Sequence, residues 1–169
     1  MADVLYYNGD GAPNFVEVKH IDPSLGFGYD YDVCNAEVLL TRAAVKNGRI
    51  VLPDGMSYRL LVLPKRQTMP VEVLRKIKEL VEAGATVVGL KPLADPGLKD
   101  YPRCDEEIAE LATQVWGNCD GQTVTEHHFG QGRIVWGRKL REVLQADGRH
   151  RAVRRHQPLR SPHVNVQPA

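Results

Sequence analysis

Residues 58–90 constrain this chain more than any other stretch. Tyr58-Arg59-Leu60-Leu61-Val62-Leu63-Pro64 is a short apolar run, the pattern of a strand buried on both faces. A helix signal follows. Thr68 is positioned as an N-cap, Pro70 falls in the first turn, and Glu72 brings a carboxylate to the positive helix end. Val71, Leu74, Ile77, Leu80 and Val81 recur at spacings of three and four, which gathers them on one face. Lys76, Lys78, Glu79 and Glu82 fall mostly on the other. Gly84 stops the helix, because glycine tolerates the left-handed conformation needed there. Ala85-Thr86-Val87-Val88-Gly89-Leu90 is a second buried run. Strand, helix, strand predicts a right-handed crossover between parallel strands, and with it an α/β fold.

Around this unit the chain reads in order as follows. Val4-Leu5-Tyr6-Tyr7 is a first strand, and Asn8-Gly9-Asp10-Gly11-Ala12-Pro13-Asn14 is a loop of turn formers. In open α/β sheets ligands sit beyond the carboxyl ends of strands, so this loop is either a plain turn or a ligand- or domain-contact loop. It holds neither GxGxxG nor GxxxxGK[ST], so a nucleotide cofactor is not expected. Residues 15–32 are irregular. Asp32 reads as the cap of a short helix from Val33 to Leu40. Tyr29 and Tyr31, two apart, suit either a sugar-facing rim or packing against another domain. Ala43 to Leu52, broken by Asn47-Gly48, is a hairpin with a type I′ turn. Pro53-Asp54-Gly55 is another turn. Lys91 to Pro102 reads as a surface loop, and a helix begins at Asp105 with Ile108, Leu111, Ala112 and Val115 as its stripe. A second hairpin spans Val124 to Gly137, and Leu140, Val143 and Leu144 mark a closing helix stopped by Gly148.

The last stretch differs in kind. Residues 149–169 hold five arginines, three histidines and three prolines with no acid, too little apolar surface to order itself. The division expected is therefore 1–148 as an α/β domain and 149–169 as a basic tail. Removing those five from the 22 basic residues leaves 17 against 21 acids in residues 1–148, which argues against a nucleic-acid partner. No apolar run approaches the ~20 residues of a membrane helix, and Ala2-Asp3-Val4-Leu5 enters a strand rather than a secretory leader. A membrane partner is not expected.

Catalytic patterns are sparse. Cys34, Cys104 and Cys119 are widely spaced and odd in number, and read as isolated thiols. His127 and His128 are adjacent in a strand, so they point to opposite faces and do not share a metal ion. The turn after the middle strand, Pro64-Lys65-Arg66-Gln67-Thr68, has no cysteine or serine where a nucleophile elbow would stand. Asp30 and Asp32 have no separation that marks a glycoside-hydrolysing pair and read equally as a cap and a solvated charge. No catalytic residue, cofactor or metal is assigned.

Several motifs in order carry a resemblance. They are Asp3 to Asn14, Tyr29 to Leu40, Leu52-Pro53-Asp54-Gly55-Met56-Ser57-Tyr58-Arg59 through Pro64, Val81 to Gly89, and Gly130-Gln131-Gly132-Arg133-Ile134-Val135-Trp136-Gly137. Over about residues 3–147 the chain resembles part of the α-L-rhamnosidases of glycoside hydrolase family 106. The resemblance implies a glutaminase-like, flavodoxin-type three-layer domain with a mainly parallel sheet, similar to the middle domain of family 42 β-galactosidases. It also implies that the catalytic carboxylates belong to a barrel outside this chain. The expected role is a non-catalytic accessory domain or fragment that packs against that barrel or another subunit. Asn8, Asp10, Asn14, Tyr29, Asp30 and Tyr31 are the candidate contacts to a neighbouring domain or a rhamnose-containing saccharide. The alternatives are a carbohydrate-binding module and a free-standing amidotransferase-like enzyme, the latter needing a nucleophile. The likeness ends after Gly148, where a β-rich continuation is replaced by the basic tail.

Overall fold

The computed structural model describes residues 2–9, 25, 28–97 and 100–155, with the backbone alone from 148 onward. In chain order the elements are β1 (Val4–Tyr7), β2 (Tyr31–Cys34), α1 (Ala36–Arg42), β3 (Ala44–Lys46), β4 (Arg49–Val51), β5 (Ser57–Tyr58), β6 (Leu60–Val62), α2 (Val71–Glu82), β7 (Thr86–Val88), α3 (Arg103–Trp116), β8 (Glu126–Phe129), β9 (Gly132–Val135) and α4 (Leu140–Arg155).

The main sheet has six strands in the order β2-β1-β6-β7-β9-β8. The pairs β1–β2, β1–β6, β6–β7 and β7–β9 are parallel, and only the edge strand β8 is antiparallel. The strand–helix–strand unit is therefore parallel, with Leu60, Leu61 and Val62 opposite Thr86, Val87 and Val88. A second, three-stranded antiparallel sheet is ordered β3-β4-β5. Its first turn is the Asn47-Gly48 pair, with φ of 54° and 69° as a type I′ turn requires.

Side chains alternate across the main sheet with the strand period of two. Leu5, Tyr7, Leu61, Leu63, Val87 and Ile134 point to a core closed by Leu39 of α1, Leu74, Ile77 and Val81 of α2, and Ile108, Val115 and Trp116 of α3. Val4, Tyr6, Leu60, Val62, Val88 and Val135 point the other way, onto Leu140, Val143 and Leu144 of α4. Helices thus lie on both faces. The apolar face of α2 is as its spacing predicts: Val71, Leu74, Ile77, Leu80 and Val81 are buried, together with Val73. Each such side chain gains about 1.5–3 kcal/mol in leaving water. Gly84, at φ +117°, donates its amide to the Val81 carbonyl and turns the chain into β7.

Five local expectations are corrected. The run 58–64 is not one strand: Tyr58 pairs with Ile50 in the small sheet, Leu60 pairs with Val4 in the main one, and Arg59 makes the joint by donating its amide to the Asp3 carbonyl. Asp32 caps no helix. Parallel pairing to β1 draws residues 31–34 into a strand, and Asn35 caps α1 by accepting from the Val38 amide at 3.0 Å. Thr68 does not cap α2; Pro70 holds the cap position, and Asp95, 24 residues on, accepts the Val71 amide at 2.9 Å. The third helix begins at Arg103 rather than Asp105. Gly148 does not stop α4, which runs to Arg155; glycine inside a helix costs about 1 kcal/mol relative to alanine but does not forbid it.

Candidate functional site

Because five strands run parallel, their carboxyl ends share one edge of the sheet, the edge where open α/β sheets hold ligands. Asn8 and Gly9 follow β1 there, Asn35 follows β2, residues 64–68 follow β6, and Gly89 to Lys91 follow β7. Asn8 is half-buried and donates its amide to the Cys34 carbonyl at 3.0 Å. Lys65, Arg66, Gln67 and Thr68 are exposed.

The remaining candidate contacts divide. Asp10 and Asn14 lie outside the described residues. Tyr29, Asp30 and Tyr31 stand at the opposite end of β1 from Asn8: the Asp30 carbonyl accepts from the Asp3 and Val4 amides, and Tyr31 pairs with Val4. A four-residue strand separates the two groups by about 13 Å. Tyr31 packs edge-on against Tyr6 with ring centroids 5.7 Å apart, and the Arg141 guanidinium lies 6.0 Å from the Tyr29 ring. Both tyrosines pack against the core beneath α4. Asp30 is exposed.

Several carboxylates, Asp95 half-buried and Asp120 exposed, are engaged in holding the backbone. Asp95 accepts from the Val71 and Gly97 amides, and its own amide donates to Asp105 Oδ1 at 2.9 Å. Asp120 accepts from the amides of Gln122, Thr123 and Val124 and from the Thr123 hydroxyl. These bonds, led by the Thr123 hydroxyl, hold its carboxyl well below the ordinary range. Asp32 accepts the Tyr58 hydroxyl at 3.0 Å; burial first, and this carboxylate second, push the phenol well above its ordinary value.

The thiols are quiet. Cys34, Cys104 and Cys119 are free and buried. Burial pushes the Cys34 thiol up to about 12 and raises the other two. Since the thiolate is the nucleophile, these side chains are held in their unreactive form. His127 packs its ring against Gly117, whereas His128 is exposed and lies 3.0 Å from Glu126. No group of three metal-ligating side chains converges among the described residues.

Two concavities among the described residues bear on the site. One, of about 420 Å³, lies at the amino-terminal edge of the sheet and is bordered by Asn47, Thr86, Glu126, Arg133 and Asp147. Its charges are matched: Arg133 reaches Glu126 at 3.1 Å and Asp147 at 3.9 Å, and Arg59 reaches Asp3 at 3.4 Å and Asp147 at 3.5 Å. Arg59 also donates to the Leu144 carbonyl, so this network pins α4 to the sheet. The other is an open groove of about 950 Å³ between α2, α3 and residues 95–97 and 100 of the connection before α3. Leu93 and Tyr101, near in sequence to its lining residues Asp95 and Asp100, are 57% and 65% exposed, the large hydrophobic side chains that project into solvent among the described residues. In sequence this stretch reads only as a surface loop, since exposure of two apolar residues is visible only once the rest is folded.

Comparison with known proteins gives the family. The family model of glycoside hydrolase family 106, α-L-rhamnosidase, matches residues 1–162, so the likeness extends beyond the 3–147 expected from the motifs. A Formosa agariphila protein named "Putative beta-glucuronidase" is 39% identical over 121 residues, which are 69% of this chain and 10% of that protein. The structure of a rhamnosidase from Novosphingobium sp. PP1Y superposes with a TM-score of 0.71 at 29% identity, covering 86% of this chain and 14% of the other. This chain thus spans between a tenth and a seventh of the length of these two proteins.

Proposed function

This chain belongs to glycoside hydrolase family 106, the α-L-rhamnosidases, and from that premise we propose that it is a non-catalytic accessory domain of an α-L-rhamnosidase-like glycoside hydrolase. It packs against a catalytic barrel or another subunit. The observation that carries this reading is the disproportion of the structural match: 86% of this chain against 14% of a rhamnosidase, the proportion of one domain in a large enzyme. The carboxylates supply a second reason. Asp95, Asp105 and Asp120 are occupied with backbone amides, and Glu126 and Asp147 with arginines, which leaves them poorly placed for glycoside acid–base chemistry.

The finer architecture belongs to the same proposal. Growth from β1 to β2 on one side, then to β6, β7 and β9 on the other, is the strand order of a three-layer, flavodoxin-like fold, the kind shared by class I glutamine amidotransferase-like domains. The switch point would lie between β1 and β6, where Asn8 stands. Asn8, with Asp10 and Asn14, then belongs to a contact surface toward a neighbouring domain or a rhamnose-containing saccharide. Tyr29, Asp30 and Tyr31 would form a separate contact at the other end of β1.

The test is α-L-rhamnosidase assay of the purified chain beside a full-length family member. The expected result is no turnover above the buffer rate. Robust turnover by this chain, abolished by no removable contaminant, overturns the proposal.

A further inference from the structure

We propose that the face formed by residues 91–97 and 100–102 with the acidic side of the α2–α3 groove is the seat for the rest of the larger glycoside hydrolase, whose matching surface offers an apolar socket ringed by lysine and arginine. This rests on the accessory-domain reading and assigns it a surface. One exposed apolar residue is ordinary on a protein surface. Here Leu93 and Tyr101 are both exposed in the connection between β7 and α3, Leu93 two residues from Asp95 and Tyr101 next to Asp100, and Asp95 and Asp100 line the groove. Tyrosine is among the side chains enriched at the energetic centres of interfaces.

The loop is held before any partner arrives. The Leu93 amide donates to the Gln67 carbonyl at 2.7 Å and the Met69 amide to the Ala94 carbonyl at 3.0 Å. Asp95 ties the loop to the start of α2, and Asp105 ties it to the start of α3. An anchored loop loses little freedom on docking, so more of the contact energy appears as affinity.

The charge of the face specifies the partner. Six acids and three bases border the groove. Arg75 is committed to Glu107, and Lys78 bonds to Gln114. Glu72, Asp100, Glu106 and Glu110 are exposed and make no ion pair among the described residues. At the amino-terminal edge, by contrast, Asp3, Glu126 and Asp147 are matched by Arg59, Arg133 and Arg138. Against Glu72, Asp100, Glu106 and Glu110 the groove sets one exposed base without an ion pair among the described residues, Arg103, so the face beside the two projecting apolar side chains carries an acidic excess that a basic surface complements. A protein about seven times the length of the matched segment has ample surface to provide it.

The experiment uses the full 169-residue chain, immobilised, and the Novosphingobium sp. PP1Y rhamnosidase from which the matched segment has been deleted. Biolayer interferometry is run at 0.1 and 0.5 M salt. Binding by the wild-type chain is expected, weakened at least about tenfold by Leu93→Ser with Tyr101→Ser. Glu106→Lys with Glu110→Lys should weaken it at 0.1 M and flatten its salt dependence. Lys46→Ser, on the β3–β4 hairpin, should leave it unchanged. Binding that survives both double variants puts the seat elsewhere and overturns this inference while the accessory reading stands. Failure of the wild-type chain to bind a deletion protein that melts cooperatively overturns both. If the deletion protein has no melting transition, the enzyme is rebuilt with this chain in place of the segment. Hydrogen exchange over 91–102 then decides: slowing relative to the free chain supports the seat, and unchanged exchange overturns it. Sedimentation showing self-association lost in the Leu93/Tyr101 variant would make a second copy the occupant and likewise overturn the proposal.

Discussion

Replacing Asp95 with alanine should destabilise the fold although the residue lies in a loop and caps a helix that begins 24 residues earlier. Its Oδ2 accepts the Val71 amide at 2.9 Å and its Oδ1 the Gly97 amide at 2.7 Å. Loss of a helix N-cap costs about 1 kcal/mol, within a range of roughly 0.5–2. The Gly97 bond adds less than the usual ~1 kcal/mol, because Gly97 is exposed and water replaces the carboxylate. The expected loss is about 1.5 kcal/mol. For a domain of this size each kcal/mol moves the midpoint by about 2–4 °C, so the melting temperature should fall by about 3–6 °C. Asparagine caps nearly as well, so Asp95→Asn should recover half or more of the loss. The comparison that decides is Thr68→Ala. Thr68 holds the position a sequence reading assigns as cap, but it is exposed and α2 takes no bond from it. Its removal should stay within about 0.5 kcal/mol. Urea and thermal unfolding followed by circular dichroism measure all three. If Thr68→Ala costs as much as Asp95→Ala, the remote cap is wrong.

Three further outcomes follow from the same contacts. Gly132→Ala would place a methyl group against the Ala85 and Val81 carbonyl oxygens, both main-chain atoms that cannot swing aside, so a loss of about 3 kcal/mol or more is expected in urea unfolding. Asp120 has a lowered folded-state pKa, so its contribution is present above the ordinary carboxylate value near 4 and is lost as pH falls toward the lower folded one. In Asp120→Asn the urea midpoint should therefore fall less steeply than wild type below about pH 4. Buried thiols with raised pKa should resist modification: Ellman's reagent at pH 8 should find no fast-reacting cysteine in the native chain and all three in denaturant.

What the sequence discloses is what neighbouring residues decide together. The period of α2 selects its buried face whatever surrounds it, and all five residues that carry the period are buried. Asn47-Gly48 reports its turn because the two positive φ angles are intrinsic to those residues. Strand β2 is the opposite case. Tyr31-Asp32-Val33-Cys34 has weak alternation and an aspartate that looks like a cap; three of the four residues are only half-buried. Its conformation is imposed by β1, some 27 residues away in sequence, through the Val4–Tyr31 register. Arg59 tells the same story: nothing in the apolar run 58–64 marks the point where one sheet hands over to another.

The candidate site divides along the same line. The sequence shows that no attacking group stands in the turn after the middle strand, because that is a question of residue identity. It does not show that Asn8 and Tyr31 occupy opposite ends of a strand, because that follows from β2 pairing parallel to β1. Nor does it single out Leu93 and Tyr101. Leucine in a loop is usually absorbed by the nearest core, and here two cores were already closed by α2, α3 and α4. The loop is fastened at Gln67, Asp95 and Asp105 so that these two side chains have no core to enter. The carboxylates of Asp95 and Asp105 are spent on this fastening. On the proposed accessory role, specificity is carried by the shape and charge of a surface, and substitutions on that surface should alter assembly before they alter stability.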